Sequence, residues 1–279
     1  MESLLLNRLD ALAHPQRLRV YRLLLRRWPD EVPAGEIAEA LDLKGSTSSV
    51  YFSALLRAGL IAQRREGVRL YYRVAMEGAR AVMSDLFLDA FQGRAELLPD
   101  VRESSAPATG RYRVLFLCTG NSARSIFAEA LLRDIAGDRF EAFSAGTAER
   151  SELNPVAIEM LRQKGHDISP LRSKNLKVYT GKDAVRFDFV FTVCDLAANE
   201  ECPAWEGQPI SGHWGMPDPV KAQGTEAERR LAFQSVYGNL RNRIAAFAAL
   251  PIDTLDRASL QHEVDRIGRM NREMAGDAA

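Results

Sequence analysis

The segment Cys118-Thr119-Gly120-Asn121-Ser122-Ala123-Arg124 constrains this chain more tightly than any other. An apolar, strand-like run, Arg113 to Leu117, leads into it, and Ser125 to Leu132 follows with its apolar residues at helical spacing. The cysteine therefore falls where a strand ends and the arginine where a helix begins. In such a turn the successive backbone N–H groups of Thr119, Gly120, Asn121, Ser122 and Ala123 converge, and the helix dipole adds positive potential. That makes a cradle for a tetrahedral oxyanion. Helix terminus and guanidinium both favour a thiolate at Cys118, Ser122 is in reach to donate its hydroxyl to the sulfur, and Arg124 can hold two anion oxygens at once.

A second element completes a reaction centre. In Gly215-Met216-Pro217-Asp218-Pro219 the acidic residue lies between two prolines. The prolines stiffen the backbone and present the carboxyl from a fixed loop. A carboxylic acid opposite a thiolate is what protonation of a leaving oxygen requires. Cys118 reads as nucleophile, Arg124 as oxyanion clamp and Asp218 as general acid.

At 279 residues the chain is long enough for two cores. The stretch 99–111 is small, polar and punctuated by Pro and Gly, and reads as a linker between a domain at 1–98 and one at 112–279. No apolar run approaches membrane-spanning length, and the opening residues lack a signal-peptide core, so a cytoplasmic protein without membrane contact is expected. All three cysteines, Cys118, Cys194 and Cys202, lie in the second half. An odd number in a reducing compartment argues for thiol chemistry rather than a disulfide framework. With 37 basic and 37 acidic residues, any nucleic-acid binding must come from a local patch.

The first half has such a patch. Gln16 to Arg27 is helical with Leu18, Tyr21, Leu24 and Leu25 on one face, and Trp28-Pro29 stops it. Ala34 to Leu41 forms a short helix, and after a turn at Asp42 to Gly45 another helix runs to about Ala58, capped by Ser46 or Thr47. Two strands, Leu60 to Arg65 and Arg69 to Val74, turn around Gly67. This is a winged helix-turn-helix, whose second helix enters the major groove of double-stranded DNA. Candidate DNA contacts are Lys44, Thr47, Ser48, Ser49 and Tyr51 around that helix, and Arg64, Arg65 and Arg69 in the wing, opposed between Lys44 and Arg73 only by Glu66. A further helix from Met76 to Arg94 carries an apolar stripe that reads as packing.

The second half alternates strands (Val114 to Leu117, Phe140 to Ser144, Phe187 to Val193) with helices (Ser125 to Ala136, Pro155 to Gly165, Ala227 to Ala249). That order predicts an α/β domain with a doubly wound parallel sheet and its site at the strand C-termini, where Cys118 and Cys194 both fall. A last helix spans Asp253 to Met274 with no assigned role. No bound cofactor or metal is expected, since a fourth ligand beside the three cysteines is not obvious, His213 being the sole candidate. Of the four histidines, His14 and His166 sit beside turns, His262 on a solvated helix face, and only His213 stands close to the acid loop.

These motifs carry two resemblances. Residues from about Tyr112 to Leu250 resemble the low-molecular-weight protein tyrosine phosphatases, specifically their arsenate reductase branch. The matches run through Val114 to Ser125, Phe143 to Thr147, Phe191 to Asp195, Cys202-Pro203 and His213 to Pro219. The resemblance implies arsenate reduction: Cys118 attacks arsenate, Cys194 attacks the Cys118 sulfur, arsenite leaves, and Cys202 takes over the disulfide before an external thiol resets it. In thioredoxin-coupled members the spacing from the second to the third cysteine is one residue shorter, which leaves the reductant open between thioredoxin and glutathione or glutaredoxin. Two rival readings use fewer residues: a phosphomonoester or tyrosine phosphatase needing only Cys118, Arg124 and Asp218, or a non-catalytic oxyanion sensor. The first half resembles the arsenic-responsive (ArsR-type) winged-helix repressors through Ala13 to Val20, Ile37 to Leu41, Leu55 to Ile61 and Arg64 to Tyr72. The resemblance implies that the helix from Met76 to Arg94 forms a homodimer interface, joined by the N-terminal helix Leu4 to Ala13. The first half departs from that family at Val50-Tyr51, where an Arg-His pair is usual. It also lacks the family's cysteine pair near Val32 to Ile37, so arsenic sensing by that pair is excluded. Together the two halves read as a transcriptional regulator fused to an arsenate reductase.

Overall fold

The computed structural model describes residues 2–97, 110–148, 152–180, 185–200, 205 and 207–270. The chain divides into two compact units, essentially 1–101 and 102–279.

The first unit opens with helices α1 (Glu2–Leu12) and α2 (Pro15–Arg26). His14 caps α2, its Nδ1 accepting the N–H groups of Gln16 and Arg17 at 3.2 and 3.5 Å, with Pro15 at the first helical position. Val20, Leu23 and Leu24 are the buried face of α2, whereas Leu25, expected inside, is 46% exposed. The short strand β1 (Val32–Pro33) leads into α3 (Ala34–Ala40) and then α4 (Gly45–Arg57). Neither Ser46 nor Thr47 caps α4: it starts after Lys44 without a side-chain cap, and the hydroxyls of Ser48 and Ser49 donate back to Gly45 O. Strands β2 (Ile61–Glu66) and β3 (Arg69–Val74) form the wing, and β1 adds a third strand, Val32 opposite Tyr72. Gly67, at φ +58°, makes the wing turn.

Helix α5 (Met76–Asp85) is shorter than the predicted helix to Arg94. It loosens into a π-helical turn at Leu86–Ala90 and ends where Gln92 and Gly93 adopt positive φ. Gly78 permits α5 to lie close to the α4–β2 turn, since a Cβ there would come within 1.9 Å of Gly59 O. Phe52, Leu55, Leu23, Leu24 and Val74 anchor the core of this unit.

The second unit is an α/β domain on a parallel four-stranded sheet of order β5-β4-β6-β7. In chain order it comprises β4 (Tyr112–Cys118), α6 (Arg124–Ala136), β5 (Phe140–Gly146), α7 (Pro155–Gln163), β6 (Phe189–Thr192), α8 (Asp195–Asn199), β7 (Ile210–His213), α9 (Glu226–Ala248) and α10 (Arg257–Arg269). The expected three strands are present, and β7 is an addition. Alternation along β4 feeds two cores. Val114, Phe116 and Cys118 enter a large cluster with α6, α9 and α10, while Leu115 and Leu117 join Leu176, Tyr179, Phe187 and Val190. The sheet is thus apolar on both faces, as parallel sheets require. Phe191 stacks on Trp214 with ring centroids 4.0 Å apart at the centre of the larger core. Helix α9 starts with a capping box, Thr225 with Glu228. No helix among the described residues is long and apolar enough to cross a membrane.

Parallel register aligns the strand ends: Leu117 pairs with Thr192 and Thr192 with His213, one residue short of the Cys118 loop and two short of Gly215. The cysteine loop, the β6–α8 turn and the acid loop therefore meet at one edge of the sheet.

Candidate active site

Helix α6 begins at Arg124 and buries every residue through Leu132, so the loop before it is held against the core on both ends. Asn121 sets the shape of that loop. It sits at φ +50°, a conformation asparagine tolerates better than other side chains, and is fully buried. Its N–H donates to Cys118 Sγ at 3.0 Å, and its Oδ1 accepts from Lys174 N at 2.7 Å. Its Nδ2 donates to Ser125 Oγ (2.9 Å) and Ser144 Oγ (2.8 Å).

Those two bonds tie Asn121 into a buried network. Ser125 Oγ accepts from Asn121 and lies 2.9 Å from Cys118 Sγ, where it donates to the sulfur of a thiolate or accepts from that of a thiol. Ser144 donates to Glu129 Oε2 at 2.5 Å, and Glu129 is balanced by Lys174 Nζ at 3.2 Å and Arg133 Nη2 at 2.6 Å. Two expectations change here. The hydroxyl at the sulfur belongs to Ser125, the second residue of α6, and not to Ser122. The Asn121 N–H, assigned to the oxyanion cradle, is given to the thiol. Neither Ser125 nor Glu129 was singled out in the sequence, because each sits inside a run that reads simply as helix. Gly146 completes the packing: a Cβ there would lie 2.8 Å from Thr119 O and 3.1 Å from Asn121 N.

Arg124 is 8% exposed. Its Nη1 donates to Met216 O at 3.2 Å, and its Nη2 lies 2.9 Å from Asp218 Oδ2. Asp218 also caps the turn that follows, its Oδ1 accepting Val220 N at 3.2 Å. The cysteine loop and the acid loop, 94 residues apart in sequence from Arg124 to Asp218, are thereby joined through one guanidinium.

Cys194 lies in the turn from β6 to α8 and is 1% exposed. Its Sγ is 3.4 Å from Thr119 Oγ1 and accepts the N–H of Ala197 at 3.4 Å. Burial pushes this thiol above the usual cysteine range; Arg124 pulls the other way, and the neighbouring Cys118 raises it further. The structure thus brings together Cys118, Arg124, Asp218 and Cys194, while Cys202 lies outside the described residues. His213, the one histidine set apart in the sequence, is buried, with Thr192 Oγ1 at 2.8 Å from Nδ1 and Asp195 Oδ1 at 3.2 Å from Nε2, bracketing the Cys194 turn. His166 is not a bystander either: it bonds Asp134 and, at 2.6 Å, the hydroxyl of Tyr237, tying the end of α7 to α6 and α9.

In the first unit Lys44, Ser49, Arg64, Arg65 and Arg69 are exposed, and Thr47 and Tyr51 half-buried. Ser48 is a correction: it is 4% exposed and turned onto Gly45 O, so it cannot reach a groove. The wing is also less basic than its sequence suggests. Arg64 pairs with Glu31 as well as Glu66, and Glu31 also lies 3.7 Å from Arg73. Arg64 further covers the Tyr71 ring at 4.6 Å.

The class this arrangement defines is an α/β domain with a cysteine–arginine loop at the end of a parallel strand and an aspartate paired with that arginine, following a winged helix-turn-helix unit in the sequence. The chain belongs to the low molecular weight phosphotyrosine protein phosphatase family, which it matches over residues 113–265; residues 12–64 match a helix-turn-helix domain. Curated relatives include the arsenate reductase of Shouchella clausii (strain KSM-K16), 40% identical over 135 residues that make up 48% of this chain and 94% of that protein. The arsenate reductase of Bacillus subtilis (strain 168) is 39% identical over 135 residues, with the same shares. Among solved structures, an arsenate reductase in the phosphate binding state aligns with a TM-score of 0.39 at 26% identity, covering 50% of this chain and 97% of that one.

Proposed function

We propose that the second unit is a thiol-dependent arsenate reductase and that the first is a dimeric, DNA-binding transcriptional regulator, the two divided at the 99–111 linker. The observation that carries the reductase reading is the contact between Thr119 of the nucleophile loop and Cys194. A phosphatase has no use for a second thiol there, whereas reduction of arsenic(V) must leave two electrons' worth of oxidation on the protein.

Arsenate enters the loop on the remaining N–H groups and the Arg124 fork. Cys118 Sγ attacks arsenic, and the oxygen that departs as water takes a proton from Asp218. Cys194, as thiolate, then attacks Cys118 Sγ. The S–S bond forms, the S–As bond breaks, and its electron pair stays on arsenic, which leaves as arsenite. Cys202 attacks Cys194 of the disulfide, freeing Cys118, and an external thiol reductant, thioredoxin or a glutathione/glutaredoxin system, supplies the two electrons that restore the thiols. Support comes from the Asn121 N–H and the Ser125 hydroxyl against the Cys118 sulfur, the Arg124–Asp218 pairing, and relatives at about 40% identity that are arsenate reductases.

Cys194→Ser tests this. Arsenate turnover with either reductant is expected to vanish, while hydrolysis of 4-nitrophenyl phosphate, which needs only water to release Cys118, persists; Cys118→Ser loses both. Arsenate reduction surviving in Cys194→Ser would return the site to the phosphatase reading.

For the first unit, the α4 surface (Lys44, Thr47, Ser49, Tyr51) and the wing (Arg64, Arg65, Arg69) are the proposed DNA-binding face, with α1 and α5 pairing two copies. Phosphate contacts supply most of the affinity, so binding falls steeply with salt.

A further inference from the structure

Helix α10 lies against the strand that feeds the acid loop, and its closeness is built in. A Cβ on Gly268 would lie 2.8 Å from His213 O and 3.2 Å from Trp214 Cδ1, and one on Gly212 would meet Val264 Cγ1 at 2.7 Å. Between these contacts Trp214, fully buried, donates its indole N–H to Val264 O at 3.3 Å. Arg243 of α9, 2% exposed, reaches from the end of α10 to the acid loop: its Nη2 donates to Met270 O at 2.9 Å and its Nη1 makes a long 3.5 Å contact with Gly215 O. On the opposite side the same root is tied to β6, by Trp214 N to Thr192 O at 2.8 Å and Met216 N to Val193 O at 3.2 Å. The next carbonyl, Met216 O, is the one that receives Arg124 Nη1, and Asp218 follows two residues later.

We propose that α10 and Arg243 form a brace that positions the acid loop, so that Gly268 and Arg243 are positioning residues for Asp218 and Arg124 although neither touches the reacting atoms. This deepens the proposed function and rests on its assignment of Asp218 and Arg124. A side chain at 268 meets backbone on its nearest side, so it must push the loop root away from α10 and draw Asp218 and the Met216 carbonyl off their places. A lost general acid has a specific signature: esters with poor leaving groups suffer most, because only they need the proton.

The test uses the full chain with Gly268→Val, Gly268→Ala as a milder step, and Arg243→Met beside Arg243→Lys. Melting curves identify the folded variants. Hydrolysis of phenyl phosphate is expected to fall about tenfold or more beyond that of 4-nitrophenyl phosphate in Gly268→Val and Arg243→Met, in the same direction as Asp218→Asn. Arg243→Lys should recover part of the loss. A second readout does not need turnover: inorganic phosphate protecting Cys118 from iodoacetate, followed on the Cys118 peptide by mass spectrometry. Half-protection should require several-fold more phosphate in the brace variants. Folded variants with wild-type leaving-group dependence and wild-type phosphate protection overturn the brace. Should Asp218→Asn itself leave the leaving-group dependence unchanged, it is the acid assignment that fails, and phosphate protection alone then decides the brace.

Discussion

At the scale of the residue, the cysteine loop shows how far spacing carries and where it stops. The Cys118–Arg124 interval was legible because nucleophile and clamp lie on one loop, and a strand before with a helix after admits few geometries. The groups that surround the sulfur were not, since Asn121 and Ser125 act within a buried network with Ser144 and Glu129 that only the fold assembles. Cys194 has a consequence for pH. Burial and the neighbouring Cys118 hold its thiol above the usual range, so its thiolate is scarce at neutral pH and increases as pH rises. In a single turnover without external reductant, formation of the Cys118–Cys194 disulfide should therefore accelerate steadily from pH 6.5 to pH 9. A rate flat across that interval would place the slow step before attack by Cys194. The readout is quench followed by mass spectrometry of the disulfide peptide.

Elements differ in how plainly sequence marks them. Strands β4 to β6 announce themselves as apolar runs, and α9 carries its own capping box. Strand β7 does not: only Ile210 and His213 of its four residues are buried, and Gly212 breaks any β-branched pattern. The tail of α5 misleads in the opposite way, because Leu86 to Phe91 keeps a helical period while the backbone loosens at Gln92 and Gly93. In the wing, counting charges between Lys44 and Arg73 omitted Glu31, which precedes α3 and reaches the hairpin only through the fold. Arg64 is thus already occupied by two carboxylates, while exposed Arg65 donates to the Gly67 carbonyl. Arg65→Ala and Arg69→Ala are each expected to weaken DNA binding by the full loss of one phosphate contact, lowering the salt slope by about one unit. Arg64→Ala should change the slope by distinctly less. Titrations of duplex DNA at several salt concentrations measure all three, and an Arg64→Ala effect as large as the others would show that DNA displaces Glu31.

On the scale of the whole chain, two cores close separately. Phe52, Leu55 and their neighbours form one; the Phe116–Phe191–Trp214–Phe247 group anchors the other. All thiols belong to the second unit and the basic wing to the first, so each chemistry has its own residues. The first unit leaves some large apolar side chains uncovered: Leu6 on α1, Met83 on α5 and Leu88 just beyond are 57%, 61% and 64% exposed. An unpaired apolar face of this kind is costly in water unless a second copy covers it, and pairing also sets the spacing of two recognition helices on DNA. Met83→Glu places a charge in that face without touching either core, since Met83 is outward on α5 and Val82 carries the burial. Sedimentation of the full chain should then show a monomer, with duplex DNA binding reduced to a weak, salt-sensitive residue. Arsenate turnover should stay near that of the parent, because Cys118, Arg124, Asp218 and Cys194 come from one copy of the second unit. A dimer that survives Met83→Glu would move the interface off α5. A monomer that still binds its DNA site tightly would separate recognition from pairing, and would leave the exposed face of α1 and α5 to another use.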